Sequence, residues 1–148
     1  MDKNYGLPEY SANDKDIQHI FHSTKVIAMV GLSRHHEADS YRVAAYLQER
    51  GFRIIPIEPK ANEILGEKSY ASLLEVPEKI DVVNIFRKPE EVSEIVDSAI
   101  TIGAKTVWMQ ERIVHGVAAA KAHEAGLQVV MDKCMMKEHK RYKIDTSL

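Results

Sequence analysis

The segment Gly31-Leu32-Ser33-Arg34-His35-His36, leading on to Ser40, places a glycine, two hydroxyls and a guanidinium between an apolar run and a helical pattern. A helix amino end offers unpaired backbone N–H groups, and with hydroxyls and an arginine fork these are the parts of a phosphate site. Gly31 allows close backbone approach, Ser33 and Ser40 can donate hydrogen bonds, and Arg34 adds a charge matched to phosphate geometry. The same residues read equally well as a strand-ending turn at Gly31, an N-cap at Ser40 and a solvated Arg34. A full G-x-G-x-x-G fingerprint is missing, because Ser33 and His36 hold its second and third glycine positions. Glu58, at the end of the next apolar run, stands where a carboxylate binds ribose hydroxyls in NAD-binding domains. An NAD-binding, oxidoreductase-like domain is therefore the alternative reading.

Further along, Phe86-Arg87 follows a third apolar run, where the ring can pack on a base or a ligand arm and the guanidinium can reach a phosphate. Cys134 lies just past the fifth run; a thiolate there is the one strong nucleophile of the chain, suited to exchange with a ligand thiol, while a buried cysteine would act as a small hydrophobe. Of the seven histidines only His35 and His36 are adjacent, too few for a zinc site, so no metal is expected. His115, His123 and His139 read as exposed or capping residues of late helices. No nucleophile, base and orienting acid stand together as hydrolysis requires, so no catalytic residue is assigned.

These residues need a scaffold, and the apolar pattern supplies one. Asn13 and Asp14 can cap a helix with Ile17, Ile20 and Phe21 on one face. Val26–Val30 is apolar without alternation, as in a strand covered on both faces. A helix over Tyr41–Arg50 stops at Gly51, and a strand over Phe52–Ile57 ends before Pro59. A short helix near Ser72–Glu75, a strand over Ile80–Ile85 and a helix from Pro89 to Gly103 follow. Thr106–Trp108, an alanine-rich helix over Val117–Ala125 and a strand over Leu127–Met131 complete the series. Strands alternating with helices predict an α/β fold: a Rossmann-like three-layer sandwich around a five-stranded parallel sheet, with ligands outside the carboxyl ends of the strands.

The 148 residues suit one domain over 1–148, comprising an N-terminal helix at 13–23, a core at 25–134 and a C-terminal tail at 135–148 whose Lys-rich part, Lys137 to Lys143, reads as a solvated helical end. A net charge of −2 argues against nucleic acid and acidic membranes as partners. The single cysteine and the lack of a long apolar stretch point to a cytoplasmic protein with no membrane association. Nothing in the sequence fixes whether it forms a homo-oligomer.

Five motifs, in order, carry a resemblance: Val30-Gly31-Leu32-Ser33, Pro56-Ile57-Glu58-Pro59-Lys60, Val82 through Pro89, Val107-Trp108-Met109-Gln110 and Val130-Met131-Asp132-Lys133-Cys134. Together they resemble the bacterial and archaeal CoA-binding proteins of the YccU type. Those stand-alone domains are similar to the amino-terminal domain of the succinyl-CoA synthetase alpha subunit, so the resemblance implies a Rossmann-like fold and coenzyme A, or an acyl-CoA, as ligand. By it, Gly31, Ser33 and Arg34 would hold the pyrophosphate. Pro59 and Lys60 would meet the adenosine, with Lys60 near the ribose 3′-phosphate, and Trp108, Met109 and Gln110 would line the pantetheine path. The chain departs from the family pattern at Glu58, commonly Asn, and at Glu111-Arg112, commonly a glycine-containing turn. Reductases and acyl-CoA ligases need further domains, so the expected role is non-catalytic binding, with a redox or regulatory use of Cys134 beside it.

Overall fold

The computed structural model describes residues 11–142, and in it the five buried runs form one parallel sheet. The strands are β1 (Val26–Val30), β2 (Arg53–Ile57), β5 (Val82–Ile85), β6 (Thr106–Met109) and β7 (Gln128–Val130), in the spatial order β2-β1-β5-β6-β7. The missing alternation in β1 has a direct cause. Ala28 and Val30 enter one apolar cluster with Ile55, Val83, Val107 and Val129, while Ile27 and Met29 enter another with Ile54, Val82, Trp108 and Val130. Successive strand residues point to opposite faces, and here both faces are covered.

Two helices, α3 (Pro89–Thr101) and α4 (Gly116–Glu124), cover the first face through Val92, Val96, Ala118 and Ala122. Three others cover the second: α1 (Asp14–Ser23), α2 (Asp39–Glu49) and α5 (Met135–Tyr142). Asn13 caps α1 as expected, its side chain accepting from the Asp16 N–H at 2.9 Å while the Asp16 carboxylate accepts from the Asn13 N–H at 3.1 Å. Fully buried Phe21 packs at 5.6 Å from the Trp108 ring, a burial worth about 2–3 kcal/mol.

Three expectations change. Ser40 is not the cap of α2: Ala38 is, and the Ser40 hydroxyl instead accepts from the Ser33 N–H at 2.9 Å. The Lys-rich end is helical with Lys137, Lys140 and Arg141 exposed, but α5 buries Met135 and His139, so the exposed or capping role expected of His139 falls; Lys143 lies outside the described residues. A hairpin of β3 (Glu63–Ile64) and β4 (Glu67–Lys68) also appears where only loop was expected. Its central residues Leu65 and Gly66 both have positive φ, the backbone of a tight I′-type hairpin turn, for which Leu is an uncommon first residue. His115 does cap α4, its Nδ1 accepting from the Ala118 N–H at 3.1 Å.

At the amino ends of the strands, Asp81 ties β1 to β5 by accepting from the backbone N–H groups of Lys25 and Val26 at 2.9 and 3.0 Å. The carboxyl ends are left to build a site.

Candidate functional site at the carboxyl ends of the sheet

From β1 the chain moves outward to β2, then crosses back over β1 to reach β5. The connections after β1 and β5 therefore diverge, and the crevice between them is where open α/β sheets bind ligands. Gly31 ends β1 with φ of +87°, and a Cβ there would lie 2.3 Å from the Phe86 carbonyl oxygen and 2.7 Å from Arg87 Cδ. Glycine is thus required for the loop after β5, and the stem of Arg87 in particular, to lie against the end of β1.

A cavity of about 750 Å³ opens beside this contact, at the ends of β5 and β6 and between the amino ends of three helices. Phe86, Arg87 and Lys88 come from the loop after β5, with Pro89 and Glu91 from the start of α3. Asp39, Arg42 and Val43 come from α2, and Gln110, Glu111 and Ile113 from beyond β6. Cys134, Met136 and Lys137 close it from the start of α5. The Cys134 carbonyl accepts the Glu138 N–H at 2.9 Å, so the cysteine, itself buried, occupies the head of that helix.

The cavity's charges are largely matched. Arg87 donates to Glu91 at 2.7 Å, Lys137 donates to both Glu111 carboxylate oxygens at 3.0 Å, and Arg42 pairs with Asp39. These contacts hold the Arg87 and Lys137 charges above their ordinary ranges, Glu91 and Glu111 being the respective causes. With Lys88 the wall carries one positive charge in excess. Below it runs a buried polar line in which Gln110 Nε2 donates to Asn84 Oδ1 at 2.7 Å and Asn84 Nδ2 faces the sulfurs of Met29 and Met135 at 3.3 and 3.5 Å. That line fixes the Gln110 side chain at the cavity floor.

The expected site residues divide into three groups. Phe86, Arg87, Gln110 and Cys134 meet at the cavity. Gly31, Ser33, Arg34, Ser40, Pro59 and Lys60 form a second cluster over the ends of β1 and β2. There the His35 N–H donates to the Ser33 hydroxyl at 3.0 Å, and Arg34 reaches the Lys60 carbonyl at 3.5 Å. Glu58 belongs to this cluster, its carboxylate accepting from the Lys60 N–H at 3.1 Å. Trp108 and Met109 are in neither, being wholly buried in opposite faces of the sheet, with Trp108 Nε1 donating to the Lys133 carbonyl at 2.8 Å. Sequence reasoning missed Glu91 and Lys137. One opens a helix directly after a strand and the other belongs to the segment read as a tail.

A five-stranded parallel sheet with this strand order, covered by helices on both faces, defines a Rossmann-like α/β domain with a crevice at its switch point. The chain belongs to the CoA binding domain family, whose profile matches residues 25–140. It is 35% identical over 124 residues to YneT of Bacillus subtilis (strain 168), covering 84% of this chain and 92% of that protein. A solved structure of a hypothetical protein from Pyrococcus horikoshii OT3 is 42% identical, with a TM-score of 0.85 over 95% of this chain and 98% of the other. The chain also matches, at 29% identity over 61% of its length, an ADP-forming acetate–CoA ligase II of Archaeoglobus fulgidus, of which it spans 14%.

Proposed function

We propose that this protein binds coenzyme A or an acyl-CoA as a small-molecule ligand, without catalysing a reaction on it. The observation that carries the reading is the 750 Å³ cavity at the switch point, which sits within the size range of ligand sites and combines Arg87, Lys88 and Lys137 with the apolar walls of Phe86, Ile113 and Met136. The family supports the choice of ligand, and membership rests on most of the chain. The cluster of Arg34, Ser33 and Lys60 supplies further cations and hydroxyls at the neighbouring strand ends, suited to the phosphates of a long ligand. Cys134, at the cavity wall and the head of α5, gives the site a redox side reaction. Its thiolate attacks one sulfur of oxidised CoA, forms the mixed disulfide and releases the other CoA as thiolate.

Titration with CoA, dephospho-CoA, acetyl-CoA and NAD, followed by thermal unfolding, tests the reading. A ligand that binds only the folded state at a hundred times its Kd adds about 2.7 kcal/mol of apparent stability. CoA and acetyl-CoA are expected to raise the midpoint and NAD to leave it. Stabilisation by NAD alone would replace the proposal with the dinucleotide alternative that Glu58 suggests. Intact-mass measurement after oxidised CoA is expected to show one adduct, lost in Cys134→Ser; no adduct in protein that binds CoA would remove the redox step.

A further inference from the structure

The cavity already contains an anion of its own. Glu91 stands in the first turn of α3, where the helix amino end favours negative charge, and one of its carboxylate oxygens takes both Arg87 Nη2 at 2.7 Å and Nε at 3.3 Å. Arg87 lies at the switch point, its stem against Gly31, so it is well placed to meet a phosphate there. An entering phosphate and Glu91 would require the same guanidinium edge and the same helix end. The other two carboxylates of the wall differ. Asp39 is 83% exposed and its partner Arg42 is also held by the Glu37 carbonyl at 2.6 Å, while Glu111 pairs with the flexible Lys137. The Glu91 side chain is 38% exposed and Arg87 41%, which leaves their pair strong enough to orient Arg87 and weak enough to be exchanged.

We infer that Glu91 is a specificity-determining residue of this site, an internal counter-anion that a ligand phosphate must displace from Arg87 and the amino end of α3. The inference rests on the CoA-type reading of the cavity. A singly charged carboxylate gains little by replacing another carboxylate, whereas a pyrophosphate, with two charges and four non-bridging oxygens, can engage Arg87 and the helix end together and gains more. The device therefore favours phosphorylated ligands over other acids. Removing the competitor strengthens what Arg87 can offer them.

The test compares wild type, Glu91→Gln and, as a second variant, Glu91→Ala by calorimetric titration at low salt with CoA, pantetheine and inorganic pyrophosphate. Glu90→Gln, one position earlier and outside the cavity wall, controls for net charge. Glutamine retains helix propensity, and unfolding of the ligand-free variants checks the fold. Loss of the competing pair is expected to tighten CoA binding about tenfold, the size of one charge-assisted hydrogen bond, with pantetheine unchanged and Glu90→Gln within about twofold of wild type. If wild type binds CoA and the Glu91 variants bind it no better, the inference fails and the CoA reading stands. If wild type does not bind CoA, that reading fails, and pyrophosphate decides the role of Glu91. Tighter binding by both Glu91 variants sustains it, and equal or absent binding overturns it.

Discussion

Gly31 shows how a single residue type sets the site. Its sequence signal, a glycine ending an apolar run, is that of a turn that also lets a ligand approach. The structure adds a second demand, since the missing Cβ makes room for the Phe86 carbonyl and the Arg87 stem. Gly31→Ala must both adopt a positive φ and push the loop after β5 away from β1. We expect a loss of about 2–4 kcal/mol in urea unfolding, from backbone strain and overpacking together. Weakened ligand binding should accompany it, because Arg87 moves with that loop. A loss under 1 kcal/mol would show that the loop yields freely. At this scale the sequence was informative where a residue acts through its backbone or its position after a strand, as with Gly31, Phe86, Arg87 and Cys134. It was silent on the pairing of Gln110 with Asn84, which joins neighbouring strands 26 residues apart and has no local pattern.

Among the elements, α5 was the least legible and has the clearest consequence for stability. Its sequence, Met-Met-Lys-Glu-His-Lys-Arg-Tyr, is polar, and its buried face consists of Met135 and His139 one turn apart. Only a histidine forced into the core completes that face. The His139 ring meets Phe21, Tyr46 and Phe52 edge-on at 5.2–5.8 Å, its Nδ1 lies 2.9 Å from the Tyr46 hydroxyl, and Nε2 has no hydrogen-bond partner among the described residues. Burial, with the Arg50 charge adding to it, holds the imidazole below its ordinary titration range. Above about pH 6.5 the ring is neutral in both folded and unfolded chains and exerts no pH dependence. As pH falls below that value the unfolded chain takes up the proton first, so stability drops until the folded ring titrates as well, at most about 1.4 kcal/mol per pH unit. Denaturant unfolding between pH 7.5 and 5 should show this decline, and His139→Phe should flatten it. Asp81, a buried carboxylate, contributes at a lower pH. Burial acts to raise its titration, but the Lys25 and Val26 N–H groups and Lys105 outweigh that, so its stabilisation is lost only as pH falls through the acid range below its ordinary value. A decline equally steep in His139→Phe would assign the effect to other groups.

For the whole molecule, the strand order decides what the carboxyl edge can hold. The alternation of strands and helices was readable because buried parallel strands are short apolar runs closed by glycine or proline. Which strand lies beside which was not, because order is set by the long-range pairing of β1 with both β2 and β5. That pairing places two clusters side by side. The Arg34, Glu58 and Lys60 group lies over β1 and β2, the cavity lies over β5 and β6, and the Gly31–Phe86 contact is the divide between them. A short ligand such as pantetheine can fill only one cluster, whereas CoA is long enough to engage both. Lys60 is exposed and its backbone N–H is already bound by Glu58, so its ammonium is the part available to a ligand. If the nucleotide end lies over β1 and β2, Lys60→Ala should weaken CoA binding about five- to tenfold, as loss of one charge-assisted contact implies, and leave pantetheine unaffected. Dephospho-CoA separates the 3′-phosphate from the rest: wild type should bind it more weakly than CoA, and Lys60→Ala should bind the two alike. Equal losses for all three ligands in Lys60→Ala would mean that the lysine acts on the cavity through the fold and not on the phosphate.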